Sequence, residues 1–248
     1  MNSLNLEPLV LRRVDEYVGQ TAVRVAATQL DPGEFGGAER REILAEWIHF
    51  FANEPTKIMH LDLVSRVPQE LLDAVSGQTN LRSIDVKWGP YHDISPLTEL
   101  RLLERVSLGG ASRLASLAPL NTLSDLSALT VSQAHKLDDI MVIGDLTSLR
   151  ALRFGNSSLG SDKSVVIADL SWVSGLSELR SLDLPGTRIL NPDLTPILAL
   201  KSLEALGLPL RRSYRKQVFE FPEGSPVFAT LAAKYKEFEI WRDQHRAT

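Results

Sequence analysis

The stretch Asp93-Ile94-Ser95-Pro96-Leu97-Thr98-Glu99-Leu100-Arg101-Leu102-Leu103-Glu104-Arg105-Val106-Ser107-Leu108 decides the fold. Its aliphatic residues stand three apart at Ile94, Leu97, Leu100, Leu103 and Val106, then close two apart at Val106 and Leu108. The template returns from Leu117 to Val131, from Ile140 to Phe154, from Leu170 to Leu184 and from Leu194 to Leu208. The closing triplets begin at Leu81, Leu103, Leu126, Leu149, Leu179 and Leu203, which are 22, 23, 23, 30 and 24 residues apart. An earlier unit, Ile58-x-x-Leu61-x-Leu63, precedes Leu81 by 23 residues. A unit this short cannot bury its apolar face alone, so successive units must stack.

Each unit has two parts with different physics. Side chains at i and i+3 eclipse in a 3-10 helix, so the period of three predicts short 3-10 segments. The closing period of two is that of a strand with one buried face. One strand and one 3-10 segment per coil predict a solenoid, with a parallel sheet on one side and 3-10 segments on the other.

The triplets Leu81-x-x-Ile84-x-Val86, Leu103-x-x-Val106-x-Leu108, Leu126-x-x-Leu129-x-Val131, Leu149-x-x-Leu152-x-Phe154, Leu179-x-x-Leu182-x-Leu184 and Leu203-x-x-Leu206-x-Leu208 resemble the leucine-rich repeat family. Asp93 to Leu100 is similar to the short repeats of bacterial internalin-type proteins. The resemblance implies an α/β solenoid, a curved right-handed superhelix with a parallel concave sheet, 3-10 segments on the convex side and helical caps. It spans roughly residues 58–210 and says little about function, because its motif residues are buried. The family's asparagine, three residues past the last strand position, is replaced here by Arg66, Gly89, Ala111, Ala134, Ser157, Thr187 and Arg211. The turns are therefore expected to differ from unit to unit, with backbone groups or water in the amide's place.

The ends depart from the template, which divides the chain into an N-terminal cap (1–57), the repeats (58–210) and a C-terminal cap (211–248). Ala22 to Ala26 alternates like a strand, and Ile43, Leu44, Trp47, Ile48 and Phe51 form a stripe predicting a helix over 38–53. Residues 68–76 also read as helix, with Pro68 at the first helical position. Ser225-Pro226 starts a capping helix, and from Lys236 the alternation predicts a strand-like or frayed end. Trp47, Trp172 and Trp241 are expected in the core.

The chain is 44% hydrophobic and 23% charged, with net charge −4. No apolar run reaches the ~18 residues that a membrane span needs, and Met1 to Pro8 lacks a secretory pattern. With no cysteine, a thiol nucleophile and a disulfide-stapled cap are excluded, and the expectation is a monomeric cytoplasmic protein. Its five histidines have no helical metal-binding spacing, so neither metal nor cofactor is expected. Gly155 to Ser164 is similar to a phosphate loop but has Ser161 and Asp162 where the lysine must stand, and reads instead as a surface insertion in the 30-residue unit. The basic clusters Arg40-Arg41 and Arg211-Arg212 with Arg215-Lys216 are short and lack interleaved aromatics, which argues against nucleic acid.

What remains is the outward side of the strands. Its central row reads Arg24, Asp62, Asp85, Ser107, Thr130, Arg153, Asp183 and Gly207, and the row before it includes His60 and Arg105. The polar residues crowd into the N-terminal half. The expectation is a non-catalytic scaffold whose concave face holds a protein partner through His60, Asp62, Asp85, Lys87, Trp88, Tyr91, Arg105 and Arg153. Trp88 and Tyr91 are the anchors, since interfaces draw most energy from a few aromatic and Arg residues. The competing reading is that these charges only solvate the sheet and pair with one another. An immunity protein occluding a toxin, an adaptor and a host-directed effector all fit such a face. An enzyme would need His60, Asp62 and Asp85 to converge.

Overall fold

A computed structural model describes residues 9–156, 164–221 and 225–245. Met1 to Pro8, Ser157 and most of the phosphate-loop-like stretch (157–163) lie outside the described residues. Nine strands form one parallel sheet: β1 (Val10–Leu11), β2 (Ala22–Val25), β3 (His60–Arg66), β4 (Ser83–Trp88), β5 (Arg105–Leu108), β6 (Ala128–Ser132), β7 (Ala151–Gly155), β9 (Ser181–Asp183) and β11 (Ala205–Gly207), in that order. A smaller parallel pair joins β8 (Val165–Ile167) to β10 (Thr187–Ile189). The chain packs as two compact units. One runs to Leu126 and includes Thr130–Asp139; the other takes Ser127–Leu129 and the chain from Ile140 onward.

In both units the period of three becomes 3-10 helix. The segments Ser95–Glu99 and Ala118–Thr122 lie in the first unit, and Ile140–Asp145, Ser171–Gly175 and Thr195–Ala199 in the second. Every ladder residue from Ile94 to Val131 is buried, as are those from Leu170 to Leu184. A recurrent carboxylate starts several of these segments. Asp93 accepts from the Ser95 amide at 2.8 Å and its hydroxyl at 2.7 Å; Asp169 does the same with Ser171, at 2.9 and 2.6 Å; Asp193 accepts from the Thr195 amide at 2.9 Å. These bonds to the ionised form hold all three acids below the usual carboxylate range, the side-chain hydroxyl contributing most.

The missing asparagines are replaced piecemeal. Buried Thr187 donates its hydroxyl to the Leu184 carbonyl at 2.8 Å, and the Ala111 amide reaches the Ser132 carbonyl at 2.9 Å. Elsewhere Gln78, itself buried, donates to the carbonyls of Phe51 (2.7 Å) and Glu54 (2.9 Å).

At the N-terminal end, α1 (Gly37–Asn53) buries Ile43, Trp47, Phe50 and Phe51, residues spaced to share one helical face. Trp47 donates its indole N–H to the Arg12 carbonyl at 2.8 Å. α2 (Gln69–Ala74) follows β3, with Pro68 as its N-cap rather than its first helical residue. At the C-terminal end the structure corrects the sequence reading. α3 (Arg212–Glu220) is a helix that no periodicity announced, and α4 (Pro226–His245) is one continuous helix with no strand after Lys236. Glu239 of α4 is held by Arg215 of α3 at 2.6 and 3.2 Å, which favours helix over a two-residue alternation too short to find a sheet. Arg211 and Arg215 of the basic cluster are thus structural: Arg211 donates to the Thr187 carbonyl at 3.1 Å. Trp47 and Trp172 are buried as expected, but Trp241 is 54% exposed, stacked on Phe238 and His245 beyond the last buried residue of α4. Just past the stretch read as a surface insertion, Val165–Ile167 pairs with Thr187–Ile189.

Candidate functional site

The outward positions of β2 to β5 meet in register within the first unit. Arg24 pairs with Asp62, Asp62 with Asp85 and Asp85 with Ser107, while Ala22, His60, Ser83 and Arg105 form the adjacent row. In-register parallel strands lie ~4.8 Å apart, so neighbours in a row are in reach of one another. His60, Asp62 and Asp85 line a shallow hollow of about 330 Å³, with Arg24 and Ser83 on its walls.

The charges within it are not evenly matched. Arg24 Nε holds Asp62 Oδ2 at 3.1 Å. The Arg105 guanidinium lies 3.4 Å from His60 Nδ1 and 3.8 Å from Glu104, which Arg82 also holds at 2.5 Å. Asp85 has no cation against it among the described residues. Its carboxyl is raised above the ordinary range, first by lost hydration in the hollow, then by repulsion from Asp62; the Ser107 hydroxyl opposes both. Part of the Asp85 surface stays open to solvent, so the group is accessible even though the sheet thins its water. Lys87 and Trp88 follow on the same strand; both are exposed, and Lys87 makes no ion pair with a described residue.

Two expected members of the site are placed elsewhere. Tyr91 is not an anchor. It is fully buried, its hydroxyl donates to the Gly109 carbonyl at 2.6 Å, and burial, then Asp85, raises it far above its ordinary range. Arg153 belongs to the second unit, where it is ion-paired with Asp183. Its row there reads Arg153, Asp183, Gly207.

His60, Asp62 and Asp85 share a hollow without forming a catalytic relay. Among the described residues no hydrogen bond joins His60 to either carboxylate; His60 faces Arg105, and Asp62 is committed to Arg24. A catalytic relay needs its base held by an orienting carboxylate, and among the described residues His60 is met by Arg105 instead. No group of three or more His, Asp or Glu among the described residues could hold a metal ion, and none of their helices is long and apolar enough to cross a membrane.

No protein-family model and no curated protein matches the sequence. Among solved structures the chain is similar to an internalin F of Listeria monocytogenes, at 23% identity over 61% of this chain and 48% of that one, with a TM-score of 0.42. It is also similar to internalin C2 of the same species (21% identity, 64% and 62% covered, TM-score 0.49). A leucine-rich-repeat protein of Leptospira interrogans is a third (17% identity, 66% and 45% covered, TM-score 0.45). A parallel strand and a 3-10 segment in successive repeats make the fold of the leucine-rich-repeat kind, as this chain's own elements show. The chain spans between 45% and 62% of the length of these three proteins, and identities this low speak to fold alone. Function must be argued from the chain's own side chains. Sequence reasoning missed one group of them at the C-terminal ends of β3 to β6: Arg66, Arg113 and Gln133, which with Trp88 and Gly110 line a second hollow of about 330 Å³.

Proposed function

We propose that this chain is a non-catalytic scaffold that binds a protein partner through the outward face of β2 to β5. The observation that carries the reading is Asp85: an accessible carboxylate set beside Asp62, with no cation of the described residues against it. A lysine or arginine of a partner entering the hollow would relieve that repulsion. Lys87 and Arg105 beside it would select against a wrongly charged surface, and Trp88 would supply apolar contact area. Surface charges that merely solvated the sheet would be expected to pair, as Arg24 and Asp62 do.

The test uses the tagged chain to capture a partner from native lysate, identifies it by mass spectrometry, and measures its affinity as a purified protein. Asp85→Asn should weaken binding about fivefold and Trp88→Ala about tenfold or more, the scale of an anchoring residue. A partner bound equally well by wild type and both variants would remove the reading, as would turnover of a substrate by the isolated chain. The captured protein's identity, toxin or host factor, separates neutralisation by occlusion from effector work.

A further inference from the structure

The repeat geometry is irregular where β3 to β6 end. The register of β3 on β4 shifts between Leu63 and Arg66, which sets Arg66 opposite Trp88. Gly110 then turns against the Trp88 backbone and Cβ with φ of +57°. A Cβ there would stand 2.7 Å from Trp88 Cβ, so only glycine leaves Trp88 its seat. Gln133 closes the other side in the left-handed region, at φ of +61° without being glycine. Such strain persists where surrounding structure enforces it, and it gathers at binding sites.

The lining is one-sided in charge. Arg66 and Arg113 are both exposed, and neither guanidinium makes an ion pair or hydrogen bond with a described residue. No carboxylate lines the hollow. Trp88, 40% exposed, forms its apolar wall. Two solvent-facing guanidiniums without a protein partner among the described residues, set around an accessible indole, suit a carboxylate next to an apolar side chain, since guanidinium and carboxylate match in both charge and geometry.

We propose that this hollow takes an acidic segment of the protein partner, its carboxylates facing Arg66 and Arg113 and an adjoining apolar residue lying on Trp88. The inference rests on the scaffold reading and names the chemistry of one part of the partner. A nucleic acid is disfavoured by position. Asp85 lies three residues up the same strand, roughly 10 Å away, with Asp62 opposite it, so a continuous polyanion crossing Trp88 runs on over both carboxylates, whereas a short acidic segment ends at the hollow. The partner surface is therefore bipolar, basic over Asp85 and acidic beyond Trp88.

The probe is the acetylated peptide Glu-Glu-Leu-Glu-Glu, titrated into the full isotope-labelled chain while the Trp88 indole signal, assigned by its loss in Trp88→Phe, is followed by NMR. A saturable shift is expected, absent with Lys-Lys-Leu-Lys-Lys and weakening as salt is raised. The double variant Arg66→Gln with Arg113→Gln should lose about fivefold or more in affinity. Arg66→Lys with Arg113→Lys, which keeps the charge and loses the planar fork, should bind more weakly than wild type but more tightly than the glutamine pair, and it shows that substitution at these exposed positions leaves the fold intact. No saturable shift, an equal response in the glutamine variant, or displacement of the peptide by inorganic phosphate or a thymidine oligonucleotide at equal concentration would overturn the proposal. If the peptide fails while partner capture still depends on Asp85, the acidic-segment inference falls and the scaffold reading stands.

Discussion

Asp85 and Tyr91 illustrate how little the type of a residue says about its use. Both stood out in the sequence as candidates for one surface, yet Asp85 is accessible and Tyr91 is core. Asp85 follows from strand alternation: flanked by buried Ile84 and Val86, it must point outward. Tyr91 lies past the strand end, where alternation no longer applies. There the Gly109 carbonyl offered its hydroxyl a buried partner, so the ring could enter the core at little cost. Trp88, three residues earlier, stays 40% exposed, with Gly110 packed close to its Cβ. A raised carboxyl also has a consequence for stability. Asp85 binds its proton more tightly in the fold than in the unfolded chain, so its ionised form costs stability above the ordinary carboxylate range and nothing below it. Asp85→Asn should therefore raise the thermal midpoint at pH 7 by ~1–2 °C, a fraction of a kcal/mol after solvent screening, with the gain gone by about pH 3. A lowered midpoint at pH 7 would show that the carboxylate is structurally satisfied, contrary to the role given it.

Among the elements, those that repeat were legible and those that occur once were not. Five copies of one spacing averaged out local ambiguity and located the 3-10 segments. The carboxylate starts at Asp93, Asp169 and Asp193 are a device of the same kind, visible as an Asp two residues before Ser or Thr. Because their acids are held low, their stabilisation is present above the ordinary carboxylate range and lost as pH falls through the folded values. Asp93→Ala should cost about 1 kcal/mol at pH 7, the usual net worth of a hydrogen bond, and less near pH 3, where the wild-type bonds have weakened. Chemical denaturation at the two pH values measures both. α4 was misread beyond Lys236 because four alternating residues fit either period. What decided for helix was α3, whose Arg215 lies against Glu239. β8 and β10 were missed for a related reason: three-residue strands carry no pattern of their own and exist through each other.

For the molecule as a whole, the caps are where periodicity ends and packing takes over. α3 and α4 bury Tyr214, Val218, Phe228 and Leu231 in the second unit. The Gln217 side chain accepts from the Leu194 amide at 2.8 Å and donates to the Pro192 carbonyl at 2.5 Å. Gln69 of α2 serves the Asp93 loop in the same way, accepting from the Asp93 amide at 3.2 Å and donating to its carbonyl at 2.9 Å. Repeat arrays need a polar closure over their last apolar unit. Deleting residues 212–248 should lower the thermal midpoint by about 5 °C or more and promote aggregation, read by light scattering during the melt. A soluble truncation with an unchanged midpoint would show that the last repeat closes itself.

The amino-acid order alone was enough to dictate the coil, its strand and 3-10 segment, and the outward rows Arg24-Asp62-Asp85-Ser107 and Arg153-Asp183-Gly207. Alternation and period are properties of neighbours along the chain. Only the folded molecule decided that Tyr91 is core, that Trp241 is exposed, and that Arg66, Trp88 and Arg113 share one hollow. Those outcomes depend on which groups far apart in the chain find one another, and on whether a buried hydroxyl or an exposed guanidinium meets a partner there.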